Sequence, residues 1–278
     1  MKTKIDNANS KFFIVTGCYR SGTTALARVL NYNPDIVCLN EFQLFESGFN
    51  SYEAIEDEYK GRKHYIPVKD RFLNREAFCL EALGISKIRP QKVAELLAKH
   101  RTPTPKIVGD KLPGYVFGLN DKMERIKKVF GEYPRVIFCL RDPRAVIESQ
   151  IRNYWKYRLV DNQTHKQAMV STYVRPDLIR CLSQWPTWFD YLAAWDSFKT
   201  MYDCPYFEFK YEDFTPPSEK VLVDLSNYLS VDLEELKKSF TDLYGVQQVT
   251  HSWKEVFPQM TDFLPKYWLR LMERYGYE

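Results

Sequence analysis

Short apolar runs alternate along this chain with longer stretches in which apolar residues recur every three or four positions. Phe12-Phe13-Ile14-Val15 is the first run, and the helical pattern Ala25-Leu26-Ala27-Arg28-Val29-Leu30 follows it. Pro34-Asp35-Ile36-Val37-Cys38-Leu39 reads as a second strand and Lys106-Ile107-Val108-Gly109 as a short buried one. Arg135-Val136-Ile137-Phe138-Cys139-Leu140 is apolar throughout after its arginine, as a strand covered on both faces must be. Pro205-Tyr206-Phe207-Glu208-Phe209 supplies the last strand. Helical spacing predicts helices over Leu119–Phe130 and Pro143–Tyr157. Three more follow the stripes Trp188/Leu192/Trp195/Phe198/Tyr202, Val221/Leu222/Leu225/Tyr228/Leu229 and Leu264/Trp268/Leu271/Met272/Tyr275. Another opens at Pro90 and ends before the turn Thr102-Pro103-Thr104-Pro105. Most of these aromatics belong to a core. Strands alternating with helices predict an α/β fold with a mainly parallel central sheet flanked by helices. Ligands of such sheets sit outside the carboxyl ends of the strands. The loops after Val15, Gly109 and Leu140 each follow a strand, so they are expected to converge on one cleft.

Two stretches show no period. Residues 46–75 are aromatic and charged, with Phe49, Tyr52, Tyr59, His64, Tyr65 and Phe72, and read as an acceptor-facing segment or lid. Residues 158–175 form the other. Nothing resembles a linker, so residues 1–278 are expected to form a single domain, with residues 1–10 flexible. The net charge of +4 suits a protein that holds an anion and is too weak to imply nucleic-acid binding. No apolar run approaches a membrane span and the first ten residues do not resemble a signal peptide, so a cytoplasmic protein is expected. Six cysteines, at 18, 38, 79, 139, 181 and 204, are scattered without a C-x-x-C pair, as free thiols are, and argue against zinc.

Between the first strand and the first helix lies Thr16-Gly17-Cys18-Tyr19-Arg20-Ser21-Gly22-Thr23-Thr24. Gly17 and Gly22 let the backbone turn and approach a ligand, and the loop N–H groups with the positive end of the helix make an anion site. The spacing is that of G-x-x-x-x-G-K-[ST], but Thr23 stands where the lysine belongs, followed by Thr24. That lysine and its magnesium serve a multiply charged terminal phosphoryl group. A less charged terminal group, such as a sulfonate, needs neither. Arg20 offers a cation from within the loop, in a fork suited to phosphate or sulfonate oxygens. Read alone, the loop favours anion binding over a simple strand-to-helix connection with Arg20 solvated.

The loop resembles the 5′-phosphosulfate loop of sulfotransferases that use 3′-phosphoadenosine-5′-phosphosulfate (PAPS). Arg141-Asp142-Pro143-Arg144-Ala145-Val146-Ile147-Glu148-Ser149 resembles their 3′-phosphate motif. Gly109-Asp110-Lys111-Leu112-Pro113 is similar to the segment between the two, Lys210-Tyr211-Glu212-Asp213-Phe214 to the tyrosine-glutamate-aspartate segment, and Trp253-Lys254 to a late tryptophan-lysine. The resemblance runs from about Phe12 to Trp253 and leaves residues 46–75 and 158–185 without family motifs. It implies a P-loop nucleotide-kinase-like sulfotransferase fold, PAPS as donor, the desulfonated nucleotide PAP as product and no metal. Implied donor contacts are Arg20, Ser21, Gly22, Thr23, Thr24, Arg141, Ser149 and Tyr211, the last at a position that contacts adenine.

The residues themselves agree with the second motif. Asp142 is a suitable N-cap with Pro143 at the first helical position, and Ser149 lies two turns along the same face, so that Arg141 and Ser149 can grip one phosphate. Sulfuryl transfer needs charge stabilisation, one base and an in-line arrangement. Lys111 is expected to stabilise the moving sulfonate or the leaving phosphate, with Arg20 assisting. Cytosolic members place a histidine base near the segment occupied here by Asp110-Lys111-Leu112-Pro113, and none of His64, His100, His165 or His251 matches. Heparan-sulfate-type and some bacterial members instead use a glutamate after the second strand, as in Asn40-Glu41-Phe42. Glu41 is therefore the expected base, with Glu46 and His64 in reserve. One departure stands out: Val246-Gln247-Gln248 occupies the place of an arginine-lysine-glycine clamp. The expected acceptor is a small-molecule, carbohydrate or carrier-bound hydroxyl compound. The alternatives are a P-loop kinase with Asp110 or Asp142 on magnesium, and a catalytically silent nucleotide-binding module.

Overall fold

The computed structural model describes residues 3–4, 10, 12–41, 106–130, 132–156, 180–183, 186–213, 217–244, 253–256 and 258–277. The expected Pro90 helix, the turn at 102–105, the segments 46–75 and 158–175, Glu46, His64 and Val246-Gln247-Gln248 lie outside them.

Six strands form one sheet: β1 (Thr3–Lys4), β2 (Phe12–Gly17), β3 (Ile36–Asn40), β4 (Ile107–Lys111), β5 (Arg135–Leu140) and β6 (Tyr206–Lys210), in the order β1-β6-β5-β2-β4-β3. All neighbours run parallel except β1, which pairs antiparallel with β6. That short edge strand falls within the stretch expected to be flexible. The helices are α1 (Thr23–Tyr32), α2 (Leu119–Phe130), α3 (Pro143–Lys156), α4 (Trp188–Met201), α5 (Glu219–Leu229), α6 (Leu233–Tyr244), α7 (Trp253–Val256) and α8 (Lys266–Tyr275). Of these α6 has no counterpart among the sequence expectations, although Leu236, Phe240 and Leu243 repeat at helical spacing.

Alternation along the strands divides the core into two. Phe13, Val15, Ile137, Cys139 and Phe207 pack with Leu26, Val29 and Leu30 of α1 and with Leu225 and Leu236 of α5 and α6. Ile14, Val136, Phe138 and Leu140 face the other way, onto Val146 and Ile151 of α3 and Trp188, Tyr191 and Trp195 of α4, with Trp268 of α8 in the same cluster. Phe138 and Trp195 stack with ring centroids 4.5 Å apart. Each such fully buried side chain contributes about 1.5–3 kcal/mol by leaving water. A strand with apolar residues on both faces, as β5 has, is what two covering layers demand. Among the described residues no helix is long and apolar enough to cross a membrane.

Because β4, β2 and β5 are adjacent and parallel, their three carboxyl ends lie side by side. The boundaries differ from expectation in one way that matters. β4 runs on through Asp110 and Lys111, which the sequence reading put in the following loop. Lys111 pairs in register with Val15 on one side and Asn40 on the other, so it belongs to the buried ladder.

Candidate active site

The loop after β2 is built by two close approaches that forbid side chains. At Gly17, φ +144°, an added Cβ would stand 2.4 Å from the Cys139 carbonyl oxygen; at Gly22, φ +90°, it would stand 2.1 Å from the Tyr211 ring. Arg20 holds a left-handed conformation with φ +74° and Glu41 another with φ +59°. Such conformations cost about 1–3 kcal/mol in non-glycine residues and persist where surrounding structure imposes them. The backbone N–H and hydroxyl of Ser21 both donate to the Cys18 carbonyl, at 3.0 and 2.6 Å, and tighten the turn. Ser21 and Thr23 are buried, and the Ser21 N–H is already engaged within the loop. Gly22 stands at the N-cap of α1, no side chain caps the helix, and its first turn holds no acidic residue. Its first N–H groups therefore favour an anion.

At this helix start the side chain of Lys111 arrives from β4. Its Nζ donates to Thr24 Oγ1 at 2.9 Å and to Glu41 Oε1 at 2.7 Å, while the Glu41 N–H donates to the Lys111 carbonyl at 2.7 Å. The Lys111 side chain is fully buried, whereas that of Glu41 is 41% exposed. Lys111 is therefore not a solvated surface lysine. Asp110, also buried, accepts from the Tyr115 hydroxyl at 2.5 Å. The cation missing from the loop at position 23 is thus brought by a neighbouring strand.

A second group of cations lies at the end of β5. Arg141 Nη1 donates to the Arg20 carbonyl at 2.8 Å, and its guanidinium sits 4.2 Å from the centre of the Tyr211 ring, which in turn covers Gly22. Trp188 Nε1 donates to the Arg141 carbonyl at 3.1 Å. Burial lowers the Arg141 pKa from its usual value, an effect the charge of Arg20 adds to and Tyr211, Glu212 and Glu148 oppose. Arg20 Nε donates to Ser149 Oγ at 2.9 Å. Arg20 therefore stands with Arg141, Ser149 and Tyr211, while the Lys111 ammonium stands with Glu41 and Thr24. Asp142 is engaged elsewhere: it caps α3 through the Arg144 N–H at 2.8 Å and holds the Arg144 guanidinium through contacts of 2.7–3.1 Å. Trp253, the residue of the late tryptophan-lysine pair, lies over that guanidinium with its ring centre 4.4 Å from Cζ.

Two residues near the site were not singled out from sequence as site residues. Tyr19 is 47% exposed and edge-on to Tyr191, with ring centroids 5.7 Å apart, and burial followed by the charge of Glu41 raises its pKa. Glu212 accepts a hydrogen bond from the Asp142 N–H at 2.9 Å, and its carboxyl pKa is raised, mainly by burial. Cys18, Cys38 and Cys139, all close by, are buried thiols outside any disulfide whose pKa values burial pushes up, which keeps them unreactive. No group of three metal-ligating side chains occurs among the described residues.

Arg141 Nε is buried and has no hydrogen-bond partner among the described residues. With the uncapped helix and the cations around it, that atom fits the phosphates of a nucleotide. Three strand ends thus bring cations to the bare start of a helix in an α/β protein with a mainly parallel sheet. More narrowly, the chain belongs to the sulfotransferase family, whose model matches residues 13–235. The fold is similar to that of the sulfotransferase domain of the Synechococcus PCC 7002 olefin synthase, at 19% identity and a TM-score of 0.57, over 100% of this chain and 98% of that one. It is also similar to the sulfotransferase domain from the curacin biosynthetic pathway, at 17% identity and a TM-score of 0.53, over 97% and 98%. No curated protein matches the chain.

Proposed function

We propose that the protein transfers a sulfonate from PAPS to an acceptor hydroxyl, with Glu41 as general base. The observation that carries this reading is the buried Lys111 ammonium, held between Glu41 and Thr24 at the uncapped start of α1. PAPS, when bound, supplies a sulfonate on a phosphate leaving group. The N–H groups of the first turn of α1 and of the loop, with Gly22 and Thr24, receive the 5′ end. Arg141, Ser149 and Arg20 receive the 3′-phosphate, and Tyr211 flanks the base. Lys111 places positive charge where negative charge grows, from a side chain that is itself buried. Glu41 Oε1 lies 2.7 Å from that ammonium, so a hydroxyl proton taken by Glu41 leaves the acceptor oxygen next to the charge that stabilises the transfer.

The kinase alternative asks Asp110 or Asp142 to ligate magnesium. Asp142 is committed to Arg144 and Asp110 to Tyr115, which counts against it. The test is calorimetric titration with adenosine 3′,5′-bisphosphate and with ATP in EDTA. The reading predicts metal-free binding of the bisphosphate and at least tenfold weaker binding of ATP. Tighter ATP binding, or no bisphosphate binding without magnesium, overturns it.

A further inference from the structure

Helix α3 begins with an incomplete cap. Asp142 supplies the side-chain acceptor, taking the Arg144 N–H at 2.8 Å, and its carbonyl accepts the Val146 N–H at 2.9 Å. In a reciprocal capping arrangement the third helical residue returns a carboxylate or amide oxygen to the N–H of the cap residue itself. Here the third helical residue is Ala145, which has none. The Asp142 N–H is satisfied instead by Glu212 Oε1 at 2.9 Å, from a segment seventy residues further along the chain. Glu212 directly follows Tyr211, whose ring lies on the Arg141 guanidinium, and Asp142 directly follows Arg141. One hydrogen bond therefore joins the two backbones that carry the stacked pair. The other oxygen of Glu212 accepts from the Tyr277 hydroxyl at 3.4 Å, and the Tyr277 ring lies over Lys210 Nζ with its centre 4.8 Å away. Lys210 Nζ in turn donates to the Tyr275 carbonyl at 2.6 Å, so the C-terminal turn holds this segment from behind.

We infer that Glu212 is a positioning residue for the donor grip: by completing the cap of α3 from a distance, it holds Arg141 and Tyr211 in the stacked arrangement that receives the nucleotide. This rests on the sulfotransferase reading of the site. What the role requires is an acceptor oxygen at the right reach. A negative charge is not required, since an amide oxygen accepts an N–H equally well in geometry.

That separates it from a merely electrostatic or structural role. Glu212→Gln keeps the oxygen and loses the charge. Glu212→Asp keeps the charge and draws the oxygen back by one methylene. Calorimetric titration with adenosine 3′,5′-bisphosphate in EDTA is expected to give Glu212→Gln an affinity within about threefold of the wild type. Glu212→Asp and Glu212→Ala are expected to lose about tenfold, the scale of one buried hydrogen bond. The Gln and Asp variants decide the question even if Glu212→Ala fails to fold. The opposite order, with Asp retaining affinity and Gln losing it, overturns the inference, as does unchanged affinity in all three. Either result leaves bisphosphate binding by the wild type, and so the donor reading, intact. Failure of the wild type to bind the bisphosphate overturns both.

Discussion

The two cationic groups of the site are built on opposite plans. Lys111 is fully buried, comes from the middle of the sheet and faces a carboxylate directly, Glu41 Oε1 at 2.7 Å. Arg141 directly follows β5 and Arg20 stands within the loop after β2, and their side chains meet a hydroxyl, a backbone carbonyl and an aromatic face. A cation already paired with a base is arranged for chemistry. Cations whose hydrogen bonds go to a hydroxyl and a carbonyl, with no carboxylate bonded to them, are arranged to take an anionic ligand. The first group should therefore govern turnover and the second should govern donor affinity.

The largest expected breaks in that division are at Lys111 and Glu41. Lys111→Ala should lower kcat by about 10²–10³, the usual loss when a preorganised charge stabiliser is removed. Glu41→Gln should lower kcat by about 10²–10⁴ through loss of the base, while donor affinity changes little. Initial rates at saturating donor measure both, and a variant that changed only the donor KM would place its residue in the other group. Next in size, Tyr211→Leu should weaken bisphosphate binding by about tenfold, since it removes the face on which Arg141 rests, a contact of about 0.5–2 kcal/mol. Ser149→Ala should cost about 2- to 10-fold, the range of one hydrogen bond, and leave kcat within about twofold. A larger loss in kcat than in affinity would show that Ser149 serves the reaction.

The smallest effect concerns pH. Burial raises the Glu212 pKa in the folded protein above its unfolded value. Its contribution to stability is therefore present at pH below the ordinary carboxylate range and lost as the pH rises through the raised value. Glu212→Gln carries no such term. The melting temperature of Glu212→Gln relative to the wild type should rise from acid to neutral pH, as read by calorimetry at both. A difference that falls instead would mean that the ionised carboxylate is favoured in place.

How much of this was legible in the sequence follows from how local each signal is. The loop from Thr16 to Thr24, the strand Arg135–Leu140 and the Asp142-Pro143 start of α3 are contiguous, and each reads out its own conformation. Adjacent parallel strands then bring the three loops together, as strand alternation implied. The burial of Lys111 was not legible, because its apolar surroundings come from strands distant in sequence, and Asp110-Lys111 looks like a loop when only Ile107 and Val108 are apolar. The pairing of Arg20 with Ser149 depends on a distance across the cleft that spacing does not encode. Glu212 left a faint trace: a cap residue followed three positions later by alanine wants a partner from elsewhere. Tyr19 left none, since an aromatic residue in a loop is as easily core as site.

The division of labour is tested most directly by one calorimetric comparison, adenosine 3′,5′-bisphosphate titrated in EDTA into Lys111→Ala and Arg141→Ala. The account predicts that Arg141→Ala loses about 10- to 100-fold in affinity, as expected for charge-assisted contacts of about 1.5–3 kcal/mol, while Lys111→Ala stays within about threefold of the wild type. Equal losses in the two variants, or a loss confined to Lys111→Ala, would contradict it.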